Sequence, residues 1–333
     1  MNDWVISIGT GKAQVPLISA AKSAGYRVLG VDRSPNLALV DDALGISTFD
    51  ALQITSALTQ YSGYRPFKAV LARTSGPAVQ SATMAADFLG LPSFGAEFSR
   101  ASVSKAALRK AAVMAGVPRM EGQCVSSTPA WVDGSDWVIK PDQPLFGKRN
   151  VYRVNNEASM RRAFAAAAEE SVNGFVECQP YIQGRDLGLV LALSKGRVEW
   201  YFLYEELVLE QRGRFKGRGV VGPAQLVEPK TYSDMREAAE RLAMQWGTSG
   251  FAFFSFRLPS CGPALLYEAN PGLCGDGLAD ILFPALWSGM NFFELDIILM
   301  TGGKFSPPPP PRTYAALLDG QLLTDDSAKE MAK

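Results

Sequence analysis

Histidine is absent from the 333-residue sequence. This absence excludes catalytic triads with an imidazole base, zinc sites of the HExxH type and every other acid–base step that uses histidine. Charge of one sign is not in excess either, because 33 lysines and arginines balance 33 aspartates and glutamates. A general nucleic-acid or membrane-surface binder would carry a basic excess, so we expect neither partner. The chemistry that remains depends on lysine, arginine, carboxylates and backbone amides.

Cysteine is scarce, and no long uninterrupted apolar run occurs. The four cysteines form no CxxC pair, which argues against a zinc site or a disulfide framework and favours free thiols in a reducing compartment. The most apolar late stretch, 283–300, is interrupted by Glu294 and Asp296 and therefore predicts a buried helix, not a membrane span. The length of the chain suggests two or three domains, and its 47% of apolar residues is enough for packed cores. We expect a cytoplasmic protein.

The first hundred residues alternate apolar strand patterns with helical patterns. The run 4–8 leads through a glycine turn and a helical pattern to a second strand pattern at 26–32, and the run 69–72 opens a similar unit. This order predicts a parallel α/β layer. Open parallel sheets hold small ligands at the carboxyl ends of their strands. The candidate substrate-binding residues at this position after the third run are Thr74, Ser75 and Gly76.

The first glycine turn matches a dinucleotide-binding loop only in part. Gly9 and Gly11 are followed by Gln14, where that loop carries a third glycine so that helix and strand can pack closely beside a pyrophosphate. Asp32, after the second strand pattern, suits a ribose contact but equally suits a helix cap or a substrate contact. A nicotinamide oxidoreductase is therefore an alternative that the missing glycine disfavours.

Two lysines stand where local structure fixes their position. Lys105 lies near the start of a helical pattern over 102–115, which ends at Gly116 with a proline beyond it. Lys140 ends an apolar strand pattern immediately before Pro141. Because proline restricts the preceding residue to extended geometry, the direction of the Lys140 ammonium group is fixed. A lone lysine is most often a solvated surface residue, so each gains meaning only together with the other segments.

Two further segments bring acids and amides. The stretch from Val176 to Asp186 ends with a glycine, an arginine and an acid. Glu268 and Asn270 alternate on a predicted strand, so both side chains lie on the same face. Two oxygen ligands on one face suit Mg²⁺, although polar pairs with this spacing are also common on exposed strands.

Together these segments resemble the ATP-grasp superfamily over roughly residues 4 to 300. The resemblance implies an α/β protein with an ATP-grasp fold and an N-terminal Rossmann-like pre-ATP-grasp domain. It divides the chain into a parallel α/β domain (1–100), a small lid subdomain (101–183), a C-terminal subdomain (184–305) and a proline-rich spacer and tail (306–333). Independently of the resemblance, we expect the last dozen residues to be frayed.

The resemblance also implies ATP as the nucleotide and Mg²⁺ as the metal. Lys140 matches the lysine that reaches the α- and β-phosphates, and the loop 144–150 matches a lid over the phosphates. Glu268 and Asn270 match the metal ligands. The positions that match ATP-binding residues are Lys105, Lys140, Lys148, Gln179, Tyr181, Ile182 and Asp186.

Three positions depart from the family pattern. Ser255 lies thirteen residues before Glu268, where family members often carry an aspartate. Gly272 lies where an arginine is frequent in the family. Residues 179–182 match the hinge whose backbone contacts the adenine edge, and Pro180 offers no N–H there. The first two departures, Ser255 and Gly272, bear on the number of metal ions and on the cation that holds the acyl-phosphate.

Other arginines are candidates to supply that cation. The run 212–219 packs four cations beside glycines, a composition that is also common in solvated loops. Arg214 and Gly272 are candidate substrate contacts. The expected catalytic residues are Lys140, Arg218 and Arg257.

The resemblance implies an enzyme, an ATP-dependent carboxylate–amine ligase. A substrate carboxylate attacks the γ-phosphate of ATP to give an acyl-phosphate and ADP, and an amine or similar nucleophile then displaces phosphate. Phosphoryl transfer depends on positioning and charge neutralisation, so lysine, arginine and Mg²⁺ suffice without histidine. The expected partners are a small carboxylate and an amine, with a homodimer left open. A nucleotide-binding regulatory homologue without ligase activity is the alternative, because of Ser255 and Gly272.

Overall fold

The computed structural model describes residues 3–61, 63, 65–144, 150–273, 277–325 and 327–328. The strands in these ranges form two sheets, one parallel and close to the N-terminus, the other antiparallel and much larger. Within the same ranges, no helix combines the length and the apolar character that crossing a membrane requires.

The parallel sheet is built from strands that are covered by helices. Its strands are β1 (Trp4–Ile8), β2 (Arg27–Asp32), β3 (Asp42–Gly45) and β4 (Phe67–Ala72), in the order β3-β2-β1-β4. The helices of this layer are α1 (Val15–Ser23), α2 (Ala51–Leu58) and α3 (Pro77–Phe88). Every residue of β1 is buried, as expected for a parallel strand with both faces packed. The predicted parallel α/β layer is confirmed.

Two helices, not one, follow this layer. The pattern over 102–115 predicted a single helix, but the chain forms α4 (Ala96–Val103) and α5 (Lys105–Met114). Ser104 separates them in an extended conformation, and its hydroxyl oxygen caps α5 by accepting from Ala107 N at 3.2 Å. Asp142, which directly follows a later strand, is buried and accepts from Ala106 N at 2.9 Å. The start of α5 therefore depends on a carboxylate that is distant in sequence.

The antiparallel sheet has a smaller and a larger part. The smaller part contains β5 (Gln123–Val125), β6 (Trp137–Pro141), β7 (Tyr152–Val154) and β8 (Val176–Pro180), with α6 (Glu157–Glu170) packed against it. The larger part contains β9 (Gly184–Ser194), β10 (Arg197–Gln211), β11 (Arg214–Gly222), β12 (Gly250–Pro259) and β13 (Leu265–Pro271), and α7 (Pro229–Trp246) lies between β11 and β12 in sequence. The strand order is β13-β12-β9-β10-β11-β7-β6-β8-β5.

Strand β9 shows how the larger part is packed, because alternate residues of a strand enter opposite faces. Leu189 and Leu191 pack with residues of α7 in a core on one face. Val190 and Ala192 face the other way and join a core that includes the parallel sheet and the late helices α8 (Phe283–Leu286) and α9 (Phe292–Met300). The N-terminal layer and the antiparallel sheet therefore share one hydrophobic core.

An ion pair formed by a buried arginine also connects these two parts. Arg73, directly after β4, contacts the carboxylate of Asp280, which lies in the helical turn Leu278–Leu282. Its Nη1 donates to Asp280 Oδ1 at 3.0 Å and to Ala13 O at 2.9 Å. Because the Arg73 side chain is only 5% exposed, its positive charge is balanced by this carboxylate and not by water.

The end of the chain returns to the antiparallel sheet. Strands β14 (Ala315–Leu318) and β15 (Gln321–Thr324) form a hairpin, and β14 pairs with residues 219–222 of β11. Ala315, Ala316 and Leu317 are buried there. The prediction that the last dozen residues are frayed is wrong for 322–324, because β15 pairs with β14 there. Strand β14 in turn satisfies backbone groups that β11 would otherwise leave exposed at an edge.

Candidate active site

A cavity of about 210 Å³ lies where both parts of the antiparallel sheet meet α5 and the start of α3. Most of the residues that the sequence predicted for a site line it. They are Ser75, Gly76, Lys105, Lys140, Gln179, Tyr181, Ile182, Asp186, Arg257, Glu268 and Asn270. The fold thus brings residues that are widely separated in sequence to one place.

The floor of the cavity is one face of the larger sheet, and that face changes character along its strands. On β12, Arg257 and Ser255 stand at the cavity end, whereas Phe253 on the same face lies in the shared core. On β10, Glu206 lines the cavity and Phe202 lies in the same core. Since alternate residues share a face, the polar floor is continuous with a packed apolar wall. This core therefore holds the floor rigidly.

Glu268 and Asn270 lie side by side on β13, as predicted, and Asn270 Nδ2 donates to Glu268 Oε1 at 3.2 Å. A bulge at Tyr267 sets their direction. Ser255 pairs with Glu268 across the strands, but the next residue of β12 pairs with Leu266. Leu266 therefore enters the core on the far face, while Tyr267 and Glu268 both line the cavity.

The surroundings of Tyr267 are acidic. Desolvation raises the pKa of Tyr267 well above its ordinary value, and the negative charges of Glu206, Asp186 and Glu268 raise it further. Three carboxylates thus act on one phenol. This wall of the cavity is suited to a cation.

Lys140 brings positive charge to the same cavity. It is buried on β6, and its Nζ lies 5.8 Å from the centroid of the Tyr267 ring. Burial, and next the charge of Lys105, lower the pKa of Lys140 to about 8. Lys105 is the first residue of α5, so Asp142, which caps that helix, holds it beside the end of β6. Two neighbouring ammonium groups in a cavity favour an anion between them.

The segment after β8 is anchored by an arginine. Arg257 Nε donates to Ile182 O at 2.8 Å, and Arg257 Nη1 donates to Asp186 Oδ2 at 2.7 Å. The guanidinium of Arg153 lies 3.7 Å from the ring centroid of Tyr181, and the rings of Tyr181 and Phe215 are 6.3 Å apart. Arg257 therefore reaches the cavity as predicted, but it holds the 181–186 segment in place.

Four predicted residues of the described chain do not line the cavity. On β11, Phe215 and Gly217 line the cavity, whereas their neighbours Arg214 and Arg218 do not. Arg218 pairs with Asp319 of the tail hairpin, and Arg214 lies 5.3 Å from the ring centroid of Tyr152. Thr74 and Gly272 are close in sequence to residues that line the cavity but do not line it themselves. Lys148, with the rest of 145–149, lies outside the described residues.

The sequence reasoning also missed residues that line the cavity. Glu206 is the most consequential, and Tyr267 and Phe215 are others. One signal was present: Glu206 lies on the same strand face as Phe202 and Trp200, so an acid interrupts an apolar alternation. Nothing in the sequence, however, marks the bulge that turns Tyr267 towards the cavity.

A glycine gives the floor its close packing. Gly188 of β9 lies under the ring of Tyr204 on β10, and a Cβ atom at position 188 would stand 2.0 Å from Tyr204 Cζ. Tyr204 is buried and fills the space that a side chain at 188 would take. The floor beside Ser255 and Glu206 therefore requires glycine at this position.

No known protein-family model matches the sequence, and no curated protein matches it. Solved structures do match. The chain is 17% identical to an L-amino acid ligase from Bacillus licheniformis, with a TM-score of 0.72 over 95% of this chain and 79% of that one. It is 14% identical to an ADP complex of N5-carboxyaminoimidazole synthetase from Staphylococcus aureus, with a TM-score of 0.74 over 96% and 83%.

A third structure extends this similarity. It is the biotin carboxylase domain of 2-oxoglutarate carboxylase from Hydrogenobacter thermophilus in complex with MgADP and bicarbonate, 15% identical, with a TM-score of 0.70 over 95% of this chain and 74% of that one. The chain therefore has the ATP-grasp fold, preceded by a Rossmann-like layer, and the predicted α/β fold class is confirmed.

Proposed function

We propose that the protein is an ATP-dependent carboxylate–amine ligase, which activates a carboxylate as an acyl-phosphate, releases ADP and phosphate, and joins the acyl group to an amine. One observation carries this proposal: Lys105 and Lys140 share a cavity with the Glu268–Asn270 pair and the 179–182 segment. Cations for phosphates, oxygen donors for a metal and a segment for a base are the parts that phosphoryl transfer needs. The ligases with a similar fold support the same reaction.

The cavity wall fits Mg²⁺ by the chemistry of its donors. Glu268 offers a carboxylate and Asn270 an amide oxygen on the same side of β13, and oxygen is the donor that this ion prefers. Mg²⁺ keeps several waters and relies on a few protein ligands together with substrate phosphates. When bound, it neutralises charge on those phosphates.

The remaining residues position ATP. Lys105 and Lys140 bind its phosphates, and the backbone and rings of the 179–182 segment hold its base. Asp186, kept in place by Arg257, offers an oxygen to the ribose. No residue acts as a nucleophile, because the reaction needs its groups positioned and its charge neutralised.

The substrate carboxylate lies near the start of α3 in this proposal. Ser75 and Gly76 line the cavity, and Gly76 is the N-cap of this twelve-residue helix without a side-chain cap. Its first residue, Pro77, has no N–H, and the backbone N–H groups that follow in the first turn are donors for an anion. They suit both the carboxylate and the acyl-phosphate made from it.

Release of ADP tests the proposal. The purified chain is incubated with ATP, Mg²⁺, and pooled carboxylates (bicarbonate and amino acids) and amines, and we expect ADP release that depends on one acid and one amine. Lys140→Ala should lower the rate by about 10²–10³-fold, the cost of losing one charge-stabilising donor. Lys110→Ala, an exposed lysine on α5, is the matched control and should keep the native rate.

Two results would contradict this assignment. Nucleotide binding without any acid-dependent ADP release would favour a regulatory protein over a ligase. Native turnover in a folded Lys140→Ala variant would remove Lys140 from the phosphate site.

A further inference from the structure

Position 255 lacks a carboxylate, but one lies within hydrogen-bond distance of it. Ser255 Oγ donates to Glu206 Oε1 at 2.8 Å. Ser255 itself pairs with Glu268 across β12 and β13. Its hydroxyl therefore stands between the Glu268–Asn270 pair on one side and the Glu206 carboxylate on the other.

The direction of Glu206 is set by the alternation of β10. Glu205, one residue earlier, points away from the cavity and forms an ion pair with Arg185, with Arg185 Nε 2.9 Å from Glu205 Oε1. Glu206 points to the opposite face and lines the cavity together with Glu268 and Asn270. Two adjacent glutamates thus have different surroundings, and only the second one shares the wall with the oxygen pair.

We propose that Glu206 is a ligand for the divalent cation that accompanies the nucleotide. Its carboxylate, on β10, replaces the one that an aspartate at position 255 on β12 would provide. This inference rests on the proposed function. Ser255 contributes by donating a hydrogen bond that orients the carboxylate, as partners of metal ligands commonly do. With Glu206 the wall offers two carboxylates and an amide oxygen, a donor set typical of Mg²⁺ sites that also hold phosphates.

Metal affinity, measured apart from turnover, tests this proposal. Mn²⁺ replaces Mg²⁺ as a paramagnetic probe, and free Mn²⁺ is read by electron paramagnetic resonance during titration of the chain with ADP present. Glu206→Gln keeps the shape and an acceptor for Ser255 but removes the charge. We expect its Mn²⁺ affinity to fall by at least the roughly tenfold that loss of a ligand's partner costs. Glu205→Gln is the matched control and should bind Mn²⁺ as the native chain does.

A charge-relocation variant separates a metal ligand from a structural acid. Glu206→Gln combined with Ser255→Asp returns a carboxylate to the same wall from β12, and we expect it to recover most of the lost Mn²⁺ affinity. Thermal unfolding of each variant without nucleotide confirms that it is folded.

The outcomes distinguish this inference from the proposed function. Equal Mn²⁺ affinity in the native chain and Glu206→Gln overturns the inference alone, as does an equal loss in Glu205→Gln. If the native chain binds neither ADP nor Mn²⁺, both the inference and the proposed function fail.

Discussion

Lys140 is a buried cation whose charge depends on pH. Burial and the neighbouring Lys105 lower its pKa to about 8, whereas Glu177, opposite it on β8, and Glu268 act in the other direction. An ammonium group that has lost its water gains most from an anion placed beside it. The protonated form is therefore the one that binds phosphates.

Nucleotide affinity should consequently fall as the pH rises above about 8. Below this pH Lys140 of the free protein is protonated, and above it each pH unit lowers the protonated fraction about tenfold. We expect the Kd for ADP to rise about tenfold between pH 7 and pH 9, measured by calorimetry. In Lys140→Arg this dependence should be much flatter, because a guanidinium stays charged. A flat profile for the native chain would show that Lys140 does not bind the phosphates.

Individual residues differ in how well the sequence predicts them. Lys140, Glu268 and Asn270 were predictable because local rules act on them: a following proline fixes one, and strand alternation pairs the others. Arg218 shows the limit, since its partner Asp319 lies 101 residues away in the chain. The role of Ser255 could not be predicted either, because its hydrogen-bond partner Glu206 lies on another strand.

At the scale of elements, the contact between β11 and the tail hairpin leaves no room for a side chain at one position. A Cβ atom at Gly219 would lie 1.9 Å from Leu317 O of β14, whereas one at Gly217, on the same strand, would have no atom within 4 Å. The hairpin therefore depends on glycine at 219 and tolerates alanine at 217.

Gly219→Ala should thus destabilise the protein by about 1–3 kcal/mol, the usual cost of overpacking, because β14 must move or leave the sheet. Gly217→Ala is the matched control and should unfold close to the native temperature. Chemical denaturation and thermal unfolding measure both. Equal stability of the two variants would mean that the hairpin does not hold its place against β11.

Elements were predictable where their own residues determine them. The α6 helix, Glu157–Glu170, is such an element, because Asn156 caps its start and alanines continue it. The single helix predicted over 102–115 was wrong because Ser104 donates a hydrogen bond to Asp142, which directly follows β6. The hairpin of the tail could not be predicted either, since its partner strand ends more than ninety residues earlier.

At the scale of the whole molecule, the Arg73–Asp280 pair and the shared core join the N-terminal layer to the antiparallel sheet. Arg73 is buried, and Asp280 is 31% exposed. Removing the acid leaves a buried guanidinium that lacks its counter-charge, which is more costly than removing both charges.

Asp280→Asn should therefore lower the free energy of unfolding, by less than the roughly 3–5 kcal/mol that breaking a fully buried pair costs, because Asp280 is partly solvated. Replacing both members, as Arg73→Met with Asp280→Leu, should recover most of this loss. Urea denaturation of the native chain and of these two variants measures the effect. If the double variant is no more stable than Asp280→Asn, the loss of stability does not come from the unbalanced charge of Arg73.

The overall architecture was predictable to the level of layers. Apolar runs and glycine turns gave the parallel layer, and the order of the lysine, acid and amide segments gave the ATP-grasp resemblance. The pairing order β13-β12-β9-β10-β11-β7-β6-β8-β5 could not be read in the same way, because contacts between distant strands are not encoded in local patterns.

The packing of Tyr204 over Gly188 limits how this site can evolve. Any side chain at 188 meets the tyrosine ring, so a larger residue there is accessible only after position 204 has become smaller. Substitutions at the two positions are therefore coupled, and the order in which they occur matters as much as their identity. Descendants that reshape this floor must pass first through a chain with a gap beside Ser255 and Glu206, and only later through one that fills it from β9.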